Sequence, residues 1–142
     1  MEQSATTEAN RARVEAVFAA WTAGSGYFTD LLAEDVSWTI EGKSLAAGDY
    51  ESKQEFIEQV LTPFGKRFEK PFRPATVRGI YADGDTVVVL WDGEGVALDG
   101  SPYRNTYAWF LSFSGDKVTR AVAFYDSIAF DELWRRVQPA AG

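Results

Sequence analysis

Chemistry in this chain would rest on one acid and a few side chains placed near it. Asp126 follows the aromatic pair Phe124 and Tyr125, and Asn105 and Tyr107 lie on the segment before them. A carboxylate set between Phe124 and a helix start, facing an apolar pocket, has its pKa raised by desolvation. Such an acid can move a proton to or from a carbon acid or a leaving oxygen. Tyr107, or a tryptophan indole, would then polarise a ligand carbonyl, and Asn105 is a further donor. A second role for Asp126 stays open and is compatible with the first. A carboxylate ahead of a helix accepts hydrogen bonds from free backbone N–H groups. For Asn105 the structural role, tying down the turn before Tyr107, is the preferred one.

What is missing narrows the chemistry further. The chain has neither His nor Cys. That removes disulfides, thiolate metal sites, the usual base of a Ser or Cys nucleophile and the commonest metal ligand. A Mg²⁺ site of carboxylates alone is conceivable, but no acidic cluster has ligand-like spacing. No metal or organic cofactor is therefore expected. A net charge of −7 argues against nucleic acid as a partner, since phosphate binding needs clustered Lys and Arg. The basic pairs Lys66–Arg67 and Arg135–Arg136 read as solvated helix faces. No apolar run reaches membrane-spanning length, and the first residues lack the apolar core of a signal peptide. The expectation is a single cytoplasmic domain over 1–142, with residues 1–6 as a frayed tail.

The elements that must position these side chains follow from periodicity. Tyr103 to Ser127 reads as two long strands around the turn at Ser114, Gly115, Asp116 and Lys117. On the first strand Asn105, Tyr107, Trp109, Leu111 and Phe113 share one face. On the second, alternation groups Val118, Arg120, Val122, Phe124 and Asp126, with Thr119, Ala121, Ala123 and Tyr125 opposite. Trp38, on a strand over Val36 to Ile40, and Trp91, on a strand over Thr86 to Glu94, complete a large aromatic set. Singly, Trp38, Trp91, Tyr107 and Trp109 read as core. Collectively they suit the lining of a pocket for a flat apolar ligand, with Phe124 beside the acid.

Helices frame the strands. Val14, Val17, Phe18 and Trp21 form an amphipathic stripe that ends at Gly24, Ser25 and Gly26. Phe28 to Leu32 reads as a short second helix. Ser52 to Glu55 matches a capping box, and Pro63 predicts a kink or stop in the helix it begins. Lys70 to Pro74 reads as a stiff connector, with strands following from Ala75. Asp92, Glu94 and Asp99 read as solvated edge acids. Asp49 and Tyr50 read as fixing a loop over the pocket mouth. A last helix spans roughly Ile128 to Val137. Helices early and consecutive antiparallel strands later make an α+β pattern.

Several local motifs carry a family resemblance. These are Asp35 to Trp38, Gly48 to Tyr50, Ala82 to Asp85, Tyr103 to Asn105 with Tyr107, Gly115 to Lys117, and Phe124 to Asp126. With the order of elements, they resemble the SnoaL-like polyketide cyclase and ketosteroid isomerase group of the nuclear-transport-factor-two-like superfamily. The resemblance implies a cone-shaped α+β barrel, with helices packed into a strongly curved, mostly antiparallel mixed sheet around an apolar pocket. It also implies a homodimer through the outer sheet face, where Phe110 would lie. Asp126 matches the acid or base of the cyclases. The epoxide hydrolases of this fold carry Arg-x-Asp where this chain has Trp91, Asp92 and Gly93. The steroid isomerases place an Asp near Trp38 to Ile40, where this chain has none.

Two functions follow as expectations. One is a cofactor-free isomerase or cyclase using Asp126 and Tyr107 on a carbonyl-containing ligand. The other is a module that binds a small apolar or aromatic molecule without turning it over. Neither involves nucleic acid or a membrane.

Overall fold

The computed structural model describes residues 2–141. Helix α1 (Glu2–Ala23) is followed by a 3₁₀ turn at Phe28–Leu31, then strands β1 (Leu32–Ile40) and β2 (Gly48–Tyr50). Helix α2 runs over 53–65. Strands β3 (Phe68–Asp83), β4 (Thr86–Ala97), β5 (Pro102–Ser114) and β6 (Lys117–Tyr125) come next, and α3 (Ser127–Arg136) closes the chain. The six strands form one sheet in the order β2-β1-β6-β5-β4-β3. Only β1 with β6 is parallel. The α+β expectation holds, but the sheet stays open between its β2 and β3 edges and does not close into a barrel.

One face of this sheet is the core. Val36, Trp38 and Ile40 of β1, Val87, Val89 and Trp91 of β4, and Tyr107, Trp109, Leu111 and Phe113 of β5 are all buried. Ala121 and Ala123 of β6 pair with Leu111 and Trp109 on that same face. Their small side chains leave room for Trp38 and Trp109 to meet across β6, edge to face, with ring centroids 5.0 Å apart. Alternating large and small residues across neighbouring strands is how a curved sheet fills its concave side.

The second strand of the hairpin departs from simple alternation. Phe113 pairs with Val118, yet Ser112 pairs with Arg120, so Thr119 is an extra residue on β6. A bulge of this kind shifts every later side chain by one position. Val118 therefore shares the inner face with Ala121 and Ala123. Phe124, expected beside the pocket, is on the outer face and 47% exposed, in edge contact with Phe110 at 6.0 Å.

Four other expectations are corrected. Residues 2–6, expected as a frayed tail, continue α1; Met1 lies outside the described residues. The helix is held near this end on the β3–β4 turn, where the Thr7 hydroxyl accepts from Gly84 N and Asn10 Nδ2 donates to Gly84 O. The supposed connector at Lys70 to Pro74 belongs to β3. As an edge strand interrupted by register shifts, β3 tolerates prolines that a central strand would reject. Of the supposed edge acids, Asp92 and Glu94 are not at an edge, because β4 lies between β3 and β5, and Asp99 lies in the turn after β4. Asp92 is held by Arg78 through two 2.9 Å bonds and by the Thr106 hydroxyl at 2.6 Å, while Asp99 takes Arg136 at 2.6 Å. Arg67 is not solvated but 4% exposed, beneath Trp134.

Helix α2 begins as the capping box predicts, with Ser52 Oγ accepting from Glu55 N. Glu55 Oε1 accepts from Glu51 N, one residue short of the reciprocal bond. Pro63 does not end the helix. The stretch Ile57–Leu61 widens into a π-turn, with Thr62 N bonded to Ile57 O, and an α-helical turn resumes at Thr62–Gly65. A wider turn just ahead of the proline relieves the clash of its ring with the preceding carbonyls. It also carries Val60 and Leu61 over the open mouth of the sheet's concave face.

Candidate functional site

The concave face encloses a cavity of about 50 Å³. Trp38, Trp91, Tyr107 and Trp109, all expected as lining, are brought together here. Helices α1 and α2, the edge strand β3 and the end of the interior strand β6 contribute further lining, among it Trp21, Phe56, Phe72 and Tyr125. Sequence reasoning placed Trp21 in a helix stripe and Phe72 in a connector, so neither stood out. A signal for Phe72 was present in Gly93. A Cβ there would collide with the Phe72 ring, so the glycine lets that ring fold over β4 into the site.

The walls are aromatic rings in mutual contact. Trp91 stacks on Tyr107 at 4.5 Å and 15°, Trp38 stacks on Phe56 at 4.5 Å and 18°, and Trp109 meets Trp91 edge-on at 5.0 Å. The space left between them, about 50 Å³, is well below the roughly 150 Å³ of an apolar cavity that takes up benzene, and so less than a fused ring system needs. The site as it stands is a narrow slot and not an open hall.

Polar atoms reach this slot from few directions. Asn105, 6% exposed, accepts at Oδ1 from Thr106 N and Asp126 N, at 2.8 and 3.1 Å. Its Nδ2 donates to Asp126 O at 3.0 Å and to the Tyr103 hydroxyl at 2.7 Å. Tyr103 and Tyr107 share a 2.9 Å bond between hydroxyls, in which either is the donor. When Tyr103 donates, the Tyr107 O–H is left for a ligand. Asn105 does not line the slot. It locks β5 to the β6–α3 junction and orders the hydroxyl chain that ends at Tyr107.

Burial keeps these phenols neutral. Desolvation pushes Tyr103 up to about 12 and Tyr107 well above its ordinary value. Tyr125 is likewise raised by burial, although its 2.7 Å bond to the Ser44 hydroxyl acts the other way. Tyr27, also in the wall, is raised by burial alone. All are donors and none is a base near neutral pH.

One buried side-chain donor among the described residues has no partner: Trp91 Nε1. Trp91 is fully buried at the centre of β4, so water does not satisfy this N–H from bulk solvent.

Asp126 and Phe124 do not join the slot. Asp126 is exposed and sits at the N-cap of α3, where Oδ1 accepts from Ile128 N at 2.9 Å and Ala129 N at 3.4 Å. It borders a polar surface groove with Asp92 and Arg104. The bulge at Thr119 accounts for the expectation failing, since it turns Phe124 and Asp126 outward and Tyr125 inward. Asp126→Ala should cost about 1 kcal/mol of stability and Asp126→Asn only a few tenths, because Asn also caps. Urea denaturation of both variants would check this; equal losses would remove the capping role.

A mixed six-stranded sheet with helices packed on one face defines the class as cone-shaped α+β proteins. The chain belongs to the SnoaL-like domain family, whose sequence model matches residues 14–121. A protein from a soil-derived mobile gene cassette shares the fold, with 22% identity, a TM-score of 0.73, and coverage of 92% of this chain and 99% of that one. A protein from a Jannaschia species described as a SnoaL-like polyketide cyclase aligns with a TM-score of 0.70 and 15% identity, over 90% of this chain and 92% of that one. A Catenulispora acidiphila protein of ketosteroid isomerase-like fold, solved with trimethylamine, aligns at 0.60 and 18%, over 80% and 85%. These likenesses concern the fold. No curated protein matches the sequence.

Proposed function

We propose that the protein binds a small neutral or amphipathic molecule by inserting a carbonyl-bearing end into the aromatic slot, without turning it over. The observation that carries this reading is that Trp91, whose ring lines the apolar slot, holds the one buried side-chain donor without a partner among the described residues. Leaving such a donor unpaired costs about 1–3 kcal/mol, which an acceptor on the ligand would recover. The Tyr107 hydroxyl, on a ring stacked against Trp91, offers a second donor. A ligand oxygen is thereby favoured over a purely hydrocarbon end.

The isomerase or cyclase reading has less support. No lining residue of the slot carries a carboxylate, an amine or an imidazole. Its phenols are held neutral by burial. Polarising a carbonyl is within reach of this site, but removing a proton from carbon needs a base beside it. Asp126, the expected base, is exposed, caps α3 and does not line the slot.

Trp91→Phe tests the reading. It removes the N–H and keeps most of the ring. Hexyl methyl ketone should bind roughly tenfold more weakly to the variant, the worth of one hydrogen bond. The infrared carbonyl band of the bound ketone should move back toward its position in apolar solvent. Stability should change little, because the lost volume is offset by the removal of an unsatisfied donor. An unchanged carbonyl band would show that the indole does not meet the ligand, and the reading would fail.

A further inference from the structure

Next to the slot lies a wider cleft of about 510 Å³, open to solvent. It lies between the end of α1, the π-turn of α2 and the first half of β3. Trp21, Tyr27, Leu61, Phe64 and Phe72 line both spaces, so they form the partition between cleft and slot. At the cleft's rim stands one charged side chain, Arg73.

Arg73 makes no hydrogen bond or ion pair among the described residues. Its guanidinium lies against Gly24, at the end of α1; a Cβ built there would be 2.9 Å from Nη2. Gly24 has a φ of 79°, the left-handed region that suits a helix-terminating glycine, and its missing side chain admits the guanidinium. The arginine is not needed to satisfy the helix end. Trp21 O already accepts from Gly24 N at 3.0 Å, and Ala20 O from Ser25 N at 2.8 Å. Buried Arg67 has three carbonyls and exposed Arg136 two carboxylates, while Arg120 and Arg135, exposed and without such partners like Arg73, line no aromatic cleft. Arg73 is a planar two-pronged donor left unfilled at the edge of an aromatic cleft.

We infer that the ligand is an apolar monocarboxylate. Its carboxylate pairs with Arg73, its hydrocarbon body lies on the aromatic partition, and a neutral carbonyl at its far end enters the slot. A guanidinium matches a carboxylate bidentately, and a partly apolar surround strengthens that pair. The chain as a whole carries −7, so it offers anions no general attraction. Preference for an anion must then come from Arg73 locally. This inference rests on the pocket reading above and adds the chemical class of what the pocket takes.

Octanoate and octanamide share a hydrocarbon body and differ only in charge. Titrated against the tryptophan fluorescence of the full chain, octanoate should bind roughly ten- to a hundredfold tighter than octanamide, the range of a charge-assisted pair. In Arg73→Gln the two should bind alike, with octanamide unchanged from wild type. Added salt should weaken octanoate alone. Equal binding to the wild type, or a preference that survives in Arg73→Gln, would overturn the carboxylate assignment and leave the apolar pocket standing. Binding of neither compound at millimolar concentration would overturn both. Arg73 is exposed on an edge strand, so the variant should fold normally, and an unchanged melting temperature would confirm that the readout is about binding.

Discussion

Trp91→Ala should destabilise the fold by about 4 kcal/mol, in the range measured when a fully buried tryptophan is truncated. The indole touches five other rings, those of Phe18, Trp21, Phe72, Tyr107 and Trp109, at centroid distances of 4.5 to 5.9 Å. It is completely buried and stands on a central strand, between Val77 of β3 and Tyr107 of β5. Rings packed on several sides cannot all collapse into the space it leaves. The hole should merge with the slot beside it. The folded fraction of the variant should then take up indole and be stabilised by it, as apolar cavities bind matching apolar molecules. Denaturant titration with and without indole would read both effects. A loss below about 1 kcal/mol, or no response to indole, would mean that the aromatic wall rearranges freely. Lining and core are one set of side chains here, and the same residue serves both.

That coincidence explains what was legible from sequence. The inner face of β5 was readable because Asn105 to Phe113 alternates without interruption, and the structure buries every odd position. The same reasoning failed one strand later. The bulge at Thr119 inserts a residue where the side chains are small or polar, so the hydrophobic pattern does not mark the shift. The informative residues were Ala121 and Ala123, whose smallness makes sense only opposite Trp38 and Trp109. Asp126 looked like a site residue because an acid beside aromatics suggests a pocket. Its backbone and carboxylate are taken up in ending β6 and starting α3. Phe72 was hidden between two prolines, whose presence argues against a strand until the strand is known to be an edge. Arg73 and Trp91 stand out only in three dimensions, because lacking a partner is not a property of sequence.

Arg67 was also misread, and its replacement should have the second large effect. A basic pair after a helix suggests solvent, yet the Arg67 side chain runs inward beneath the Trp134 ring, 3.8 Å from its centroid. Nε donates to Val137 O at 2.7 Å, Nη1 to Pro63 O at 2.9 Å and Nη2 to Trp134 O at 3.3 Å. Pro63 belongs to the last turn of α2, and Trp134 and Val137 to the last turn and C-cap of α3. One guanidinium therefore caps the C-terminal ends of two helices, where free carbonyls and the negative ends of both dipoles meet. Burial pushes its pKa down, but an arginine starts so far above neutrality that the charge persists. Arg67→Ala strands three carbonyls and strips a face of Trp134, and should cost about 3 kcal/mol. For a chain of this size that is a fall in melting temperature of roughly 10 °C. Arg67→Lys, a point charge in place of a fork, should recover only part of it. Hydrogen exchange should quicken together in the last turns of α2 and α3, because both ends lose their donor at once. Quickening confined to α2 would leave Arg67 as a local cap and remove the link between the helices.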